Sequence, residues 1–242
     1  MAEDSFAGPV ADRYDETAGE MFAPELVDPA VEFLAALAGG GAALELGIGT
    51  GRIALPLARR GVRVHGIDRS PDMVERLREK PEGDGIPVAI GDMATARVDG
   101  TFSLAYVVWN SIMNLRTQEA QLACVRNAAE HLVPHGRFVV EIMVPELRRL
   151  PPGATVIPFA AGPEHVGLDE YDVARQALTS HHWYPQRGEY ETFPGRYIWP
   201  AELDLMAELA GMSLRERWGG WRREPFTGES TSHVSVFEKT VT

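Results

Sequence analysis

One cysteine, two lysines and the lack of any long apolar run set the first limits on this chain of 242 residues. With Cys124 alone, an internal disulfide and a thiolate metal cluster are both excluded. Cys124 falls in the helical run 120–132 among small apolar residues, the setting of a buried structural thiol. Lysine is confined to Lys80 and Lys239; every other basic residue is arginine, which reads as coding bias. Acids outnumber bases, 35 against 23, for a formal net charge of −12. No general affinity for nucleic acid or anionic membranes is expected, because phosphate binding needs clustered Lys and Arg. No apolar stretch approaches the ~20 residues of a membrane span. The opening MAEDSFAG is acidic and carries no positive segment before an apolar core, so no signal peptide is expected and the reading is cytoplasmic.

What is present is a length and an apolar content (45%) suited to one sizeable α/β domain. An amphipathic helix over 25–37 runs into Gly39-Gly40-Gly41, which stops it. Short apolar runs at 42–46, 62–67, 86–90, 102–108 and 137–143 alternate with helical patterns at 52–60, 71–78 and 118–132. Ser70 is placed as an N-cap with Pro71 at the first helical position. Continuous apolar strands separated by helices predict a doubly wound parallel sheet covered on both faces. After Pro145 the texture changes. Residues 171–184 and 189–199 read as two long strands around a turn at 185–188, followed by a helix over 200–210. Strands at 212–218 and 233–239 are expected to form an antiparallel sheet edge. The whole chain, 1–242, is read as a single domain. Residues 1–40 form an N-terminal helical lid, and 148–199 an inserted antiparallel β cap.

The strongest local signal is Leu44-Glu45-Leu46-Gly47-Ile48-Gly49-Thr50-Gly51-Arg52. A strand carrying an acid near its end turns through three alternate glycines and enters a helix. Glycine lets the backbone bend tightly and approach a ligand, and the helix start offers free N–H groups. The spacing is GxGxG, not the GxGxxG of nicotinamide enzymes, and the lysine of a phosphate loop is absent. Glu45 would repel a pyrophosphate and attract a sulfonium or an α-ammonium. Two more acids end the next strands. Asp68 is suited to a ribose hydroxyl pair and Asp92 to an exocyclic adenine amine. Met73 and Met93 lie beside them, placed either against an adenine face or in the core.

On these residues the sequence resembles the class I S-adenosylmethionine (SAM)-dependent methyltransferases, over about residues 14–143 and more weakly over 200–239. The small-molecule enzymes of antibiotic pathways, N- and O-methyltransferases alike, are the nearest in character. The resemblance implies a Rossmann-like, mostly parallel seven-stranded sheet with SAM as cofactor and S-adenosylhomocysteine as product. It also implies that Glu45, Gly47, Gly49 and Gly51 hold the methionine portion, Asp68 with Arg69 beside it the ribose, and Asp92 the adenine amine. Tyr14, in a Tyr-Asp pair near the start, corresponds to a lid residue touching the cofactor.

The acceptor side is less marked. The fourth strand ends at Trp109-Asn110-Ser111 without the Asn-Pro-Pro-aromatic motif of base-amine methylation. Trp109 either walls the cofactor or packs, and Asn110 either orients the acceptor or caps a helix. Glu141, His181 and His182 are the candidate proton acceptors, each with a bland alternative as a loop cap or a hydrogen-bonded surface group. Successive strand residues face opposite sides, so only one of the two histidines should enter a pocket. Trp183, Arg196, Tyr197 and Trp221 are expected to form a semi-aromatic acceptor pocket with one anion-binding group. No metal site is expected. The expected partner is a small-molecule acceptor, and a homodimer would form through the cap. Methyl transfer to oxygen or nitrogen in specialised metabolism is the leading reading. A non-catalytic SAM or adenosine sensor and a nicotinamide dehydrogenase are the alternatives.

Overall fold

The computed structural model describes residues 6–241; positions 1–5 and 242 lie outside the described residues, and with them most of the acidic opening and the start of the expected lid. In chain order, α1 (Pro9–Thr17) and α2 (Pro24–Ala38) lead into β1 (Ala42–Leu46). Then come α3 (Ala54–Arg59), β2 (Arg63–Asp68), α4 (Pro71–Glu79), β3 (Val88–Ile90), β4 (Phe102–Val107), α5 (Gln118–His131) and β5 (Leu132–Met143). Four further strands follow: β6 (Val156–Ala161), β7 (Val166–Asp172), β8 (Ala177–Tyr184) and β9 (Glu189–Arg196). The chain finishes with α6 (Pro200–Leu209), β10 (Met212–Trp218) and β11 (Ser232–Lys239). Among the described residues no helix is long and apolar enough to cross a membrane.

The main sheet has seven strands in the order β10-β11-β5-β4-β1-β2-β3. β1 to β5 pair in parallel, and β11 joins β5 antiparallel and carries β10. The strand order reverses at β1, and in such sheets the crevice at the carboxyl ends beside the reversal is where ligands sit. Alternation along each strand fills two cores. Leu44, Leu46, Ala105, Val107, Phe138 and Val140 face α5 and α6, while Ala43, Leu104, Tyr106 and Val139 face α2 and α3. Ser70 Oγ accepts from the Met73 amide, starting α4 where the sequence placed it, and Thr117 does the same for α5.

The smaller sheet departs from its reading in three respects. The stretch 171–184 is not one strand but the end of β7 and all of β8, with a turn between them. Asp172 Oδ1 accepts from the amides of Ala174 and Arg175, and Gln176 takes a positive φ of 52°, so the side chain of Asp172 bends the chain there. β6 has no counterpart in the sequence reading. It contains Pro158 and lies at the edge of the order β6-β7-β8-β9, the position where a strand tolerates proline. β9 likewise stops at Arg196, three residues short of the expected end. Ile157, Tyr171 and Leu178 of this smaller sheet join the same core cluster as Leu44 and Phe138.

Candidate functional site

The chain leaves β1 through Gly47 and Gly49, both at positive φ (76° and 54°), and the Gly47 and Ile48 amides donate back to the Ile67 carbonyl. Gly51 is also at positive φ (82°), and a Cβ there would lie 2.3 Å from Leu77 of α4. The bend is fixed from β2 as well. Asp68 Oδ2 accepts from the Gly49 amide at 2.6 Å, and its Oδ1 accepts from the Ser70 amide at 2.9 Å. Asp92 begins the loop after β3, its Oδ1 accepting from the Ala94 amide.

These groups surround a cavity of about 290 Å³. Of the residues singled out in the sequence, Tyr14, Gly47, Gly49, Asp68, Arg69, Met73, Asp92 and Met93 line it. Met73 stands beside Gly49, its methyl 3.4 Å from a Cβ built there, and Met93 Sδ is 4.0 Å from one built on Gly47. The two thioether side chains therefore flank the bend.

Glu45 is placed differently from its expectation. It is 3% exposed, lies below the bend and is absent from the cavity lining. Tyr106 donates its hydroxyl to Glu45 Oε2 at 2.9 Å. Burial pushes the carboxyl up to about 8, against the opposing pull of the Tyr106 hydrogen bond and the Arg52 charge. Gly51 also stays outside the cavity lining.

The N-terminal segment is stitched across one side of the cavity. The Gly8 amide donates to Asp72, Ser70 Oγ donates to the Phe6 carbonyl, and Thr50 Oγ1 donates to Asp15 at 2.6 Å. Lys80 pairs with Asp15, and Arg13 spans to Glu189 on β9 at 2.9 Å. Helix α1 is thus tied to the main sheet at one side and to the cap at the other. Burial raises the Tyr14 phenol, with Arg52 opposing.

The ends of β4 and β5 are locked to each other. Trp109 and Asn110 are consecutive non-glycine residues at positive φ (54° and 60°), a strained backbone of the kind found beside functional sites. Glu141 stabilises it: one oxygen accepts from the Trp109 amide at 2.9 Å and the other from Trp221 Nε1 at 2.7 Å. Asn110 Oδ1 accepts from the Met143 amide. Glu141 and Asn110 are thus engaged in holding loops. Trp109 carries the Arg52 guanidinium over its ring at 4.7 Å, and Arg52 also donates to the Met21 carbonyl, linking the segment between α1 and α2 to the bend.

The expected pocket of Trp183, Arg196, Tyr197 and Trp221 does not form. Arg196 is buried and forks between Gln121 (2.6 Å) and Glu202 (2.7 Å), so its charge is consumed within the fold. Tyr197 is core, with its ring between Tyr171 and Trp199. Trp183 is 41% exposed beside Tyr190. Trp221 packs edge-on against Phe33 and lines a separate cavity with α2. A period-2 strand pattern gives a face but not what covers it; Glu202, which neutralises Arg196, is only six residues away, but Gln121, which completes its burial, comes from α5.

The two histidines do face opposite ways. His181 Nδ1 meets the Tyr190 hydroxyl at 2.5 Å, and its Nε2 lies 3.4 Å from Glu170. His182 meets Ser180 and His165 instead. Neither lines the donor cavity. Cys124 is buried, and burial pushes its thiol up to about 12. Among the described residues no group of His, Cys, Asp and Glu is arranged to hold a metal ion.

Ser111, read at the end of the fourth strand, lines the cavity, but sequence reasoning missed the rest of that wall: Phe6, Asn114, Leu115, Arg116 and Pro194. The strand-end rule pointed to the stretch after β4, but its one-turn helix Ser111–Asn114 carries no signal of its own. Phe6 and Pro194 come from segments whose approach only the tertiary fold sets.

The model of the methyltransferase domain family matches residues 43–136, the span from β1 into β5. The CcbJ methyltransferase from Streptomyces caelestis is 36% identical, with 99% of this chain and 100% of that one covered and a TM-score of 0.86. The cypemycin N-terminal methyltransferase of a Streptomyces species is 27% identical over 93% of this chain and 97% of its own length. The SAM-bound CalS10, an amino pentose methyltransferase of calicheamicin biosynthesis from Micromonospora echinaspora, shares the fold. Its identity is 19%, its TM-score 0.71, and the alignment covers 99% of this chain and 100% of that one.

Proposed function

Because this chain belongs to the SAM-dependent methyltransferase family, we propose that it methylates an amine nitrogen of a small natural-product acceptor. The observation that carries this reading is the wall joining the donor cavity to the cap. Tyr14 and Phe6, which line the cavity, continue through Phe193 to His182 beneath β8, with successive ring centroids 6.1, 5.7 and 5.3 Å apart. Aromatic faces suit a cationic or weakly basic amine passing beside a cationic donor. Two relatives have names that accord with it: one is an N-terminal methyltransferase of cypemycin, the other an amino pentose methyltransferase.

The residues present fit the cofactor. Asp68 would take the ribose hydroxyls, with Arg69 beside it, and Asp92 the adenine amine, with Met73 and Met93 packed alongside. The backbone at Gly47 and Gly49 would receive the methionine portion, with Tyr14 closing over it. Glu45 and Gly51 act from below, by field and by packing. When bound, SAM supplies an electrophilic methyl group on sulfur. The protein's own part is alignment and exclusion of water, through the tethered α1 and the Trp109–Asn110 elbow. A neutral amine needs no further activation to act as nucleophile, which accords with Glu141 being spent on loop contacts.

In this reading residues 1–242 are one domain, 1–40 its lid and 148–199 the cap over the acceptor. The outer face of the cap, with Val166, Trp183 and Tyr190 exposed, is where a second copy would pair. The test is transfer from methyl-labelled SAM to matched probes: an amino sugar against its parent sugar, and a peptide with a free against an acetylated N-terminus. Label on the amines alone supports nitrogen transfer; label on hydroxyl groups alone refutes it.

A further inference from the structure

Beneath the cap lies a polar chain that the donor cavity does not use. β8 turns Leu178, Ser180, His182 and Tyr184 to one side. Their cross-strand partners are Tyr171, Asp169 and Gly167 on β7, and Phe193, Glu191 and Glu189 on β9. Leu178 and Tyr171 are core residues, so this is the side turned toward the body of the protein. Opposite His182, Gly167 leaves a gap: a Cβ there would lie 2.2 Å from the Phe159 ring. Phe159 fills the gap and packs against His182, with ring centroids 5.3 Å apart.

Both ring nitrogens of His182 are engaged. Nε2 lies 3.1 Å from Ser180 Oγ, and Nδ1 lies 3.0 Å from His165 Nε2. Ser180 is the cross-strand partner of Asp169 and, against the larger opposing effect of burial, favours its ionised carboxylate. A carboxylate only accepts, so Ser180 donates to Asp169 and its oxygen receives the His182 Nε2–H. His182 Nδ1 is then a lone pair, filled by His165 Nε2–H. The chain therefore ends in one place, the lone pair on His165 Nδ1. The His165 ring lies nearly parallel to its neighbours His182 (5.1 Å, 10°) and Tyr184 (5.0 Å, 15°).

We propose that His165 Nδ1 is a fixed hydrogen-bond acceptor that recognises an N–H or O–H donor on the methyl acceptor. Asp169, Ser180 and His182 are the positioning residues that fix its tautomer. The proposal deepens the amine reading and rests on it for the class of molecule bound. Geometry places the site beside the donor cavity: His182 meets Phe193 edge-on, Phe193 lies against Phe6, and Phe6 and Pro194 line the cavity. An acceptor that reaches the donor along this wall passes His182, and His165 is the next group on its hydrogen-bond chain. Burial, then the charges of His165 and His181, push His182 down to about 4, so its single N–H stays committed to Ser180 near neutrality. The charged groups around this hydrogen-bond chain are Glu189 and Glu191 on β9, joined to Arg13 of α1, with Arg187 over Tyr184 and Glu146 near Asp169. Those on β9, with Arg13 and Arg187, surround Tyr184 with both signs, and no carboxylate is hydrogen-bonded to His165 among the described residues.

The test uses the full chain with S-adenosylhomocysteine present and histidine ¹⁵N chemical shifts as readout. His182 and His165 are expected as Nε2–H tautomers. Benzylammonium, which carries N–H donors, should shift the His165 Nδ1 resonance, whereas trimethylbenzylammonium, of equal charge without a donor, should not. His165→Phe should weaken benzylammonium binding by roughly fivefold or more, and His165→Asn, which places an amide oxygen near Nδ1, should recover part of it. Ser180→Ala should release the His182 tautomer. A His182 Nδ1–H tautomer, no response of His165 to either benzylammonium or benzyl alcohol, or equal responses to the two cations would overturn the proposal. If benzyl alcohol perturbs His165 and benzylammonium does not, the subsite stands and the amine reading falls.

Discussion

Tyr106 donates to Glu45 across 2.9 Å at a point where both side chains are buried and the carboxyl is raised to about 8. The folded state therefore holds a proton that the unfolded chain has released above the ordinary carboxylate range. Since the folded value lies above the unfolded one, stability falls as pH rises between about 4.5 and 8 and levels off beyond. Glu45→Gln should flatten that part of the stability profile in denaturant titrations. A cationic ligand favours the ionised carboxyl, so SAM should bind more tightly as pH approaches 8 and release protons when bound below it. Calorimetry in buffers of different ionisation enthalpy reads that release directly. Tyr106→Phe removes the hydrogen bond that lowers the Glu45 value and should move the transition to higher pH.

Arg196 is predicted to be a structural cation. Its guanidinium is buried between Gln121 and Glu202, and removing one partner of such a pair costs about 3–5 kcal/mol by leaving an uncompensated charge. For a chain of this size that corresponds to a melting temperature lower by about 10 °C in Arg196→Ala. Acceptor KM, measured below the new transition, should stay near that of the parent. A raised KM with unchanged melting would restore Arg196 to the acceptor site.

The contact from Arg13 to Glu189 and Glu191 is the tether between α1 and the cap. Its groups are partly exposed, so Arg13→Ala should leave the melting temperature nearly unchanged. S-adenosylhomocysteine should dissociate several-fold faster from the variant, and added salt should speed release from the parent more than from the variant. Identical release rates in stopped-flow would show that the tether does not hold the lid.

Much of this arrangement is legible in the sequence because it depends on short-range rules. The parallel strands follow from apolar runs between helices, α4 from Ser70-Pro71, and the bend after β1 from alternate glycines. Asp68, Asp92, Met73 and Met93 reach one cavity because strand ends in a parallel sheet share an edge. What could not be read depends on contacts distant in sequence. Arg196 looks like a binding group until Gln121, 75 residues away, folds against it beside its near neighbour Glu202. Glu45 looks like a ligand until Tyr106, on a neighbouring strand, claims it. β6 is masked by its proline, and the break between β7 and β8 by the apolar Val173 and Ala174 that follow Asp172. His165, which ends the chain under the cap, lies in a Gly-Pro-rich stretch with no pattern to mark it.

The account rests on the cofactor lying between β1, β2 and the Asp92 loop, and titration of S-adenosylhomocysteine into Asp68→Ala and Asp92→Ala tests it most directly. Each variant loses a hydrogen-bonding carboxylate. The account predicts dissociation constants raised by about 5- to 150-fold, equivalent to roughly 1–3 kcal/mol, with secondary structure intact. Parent-like affinity in both variants would place the cofactor elsewhere and contradict it.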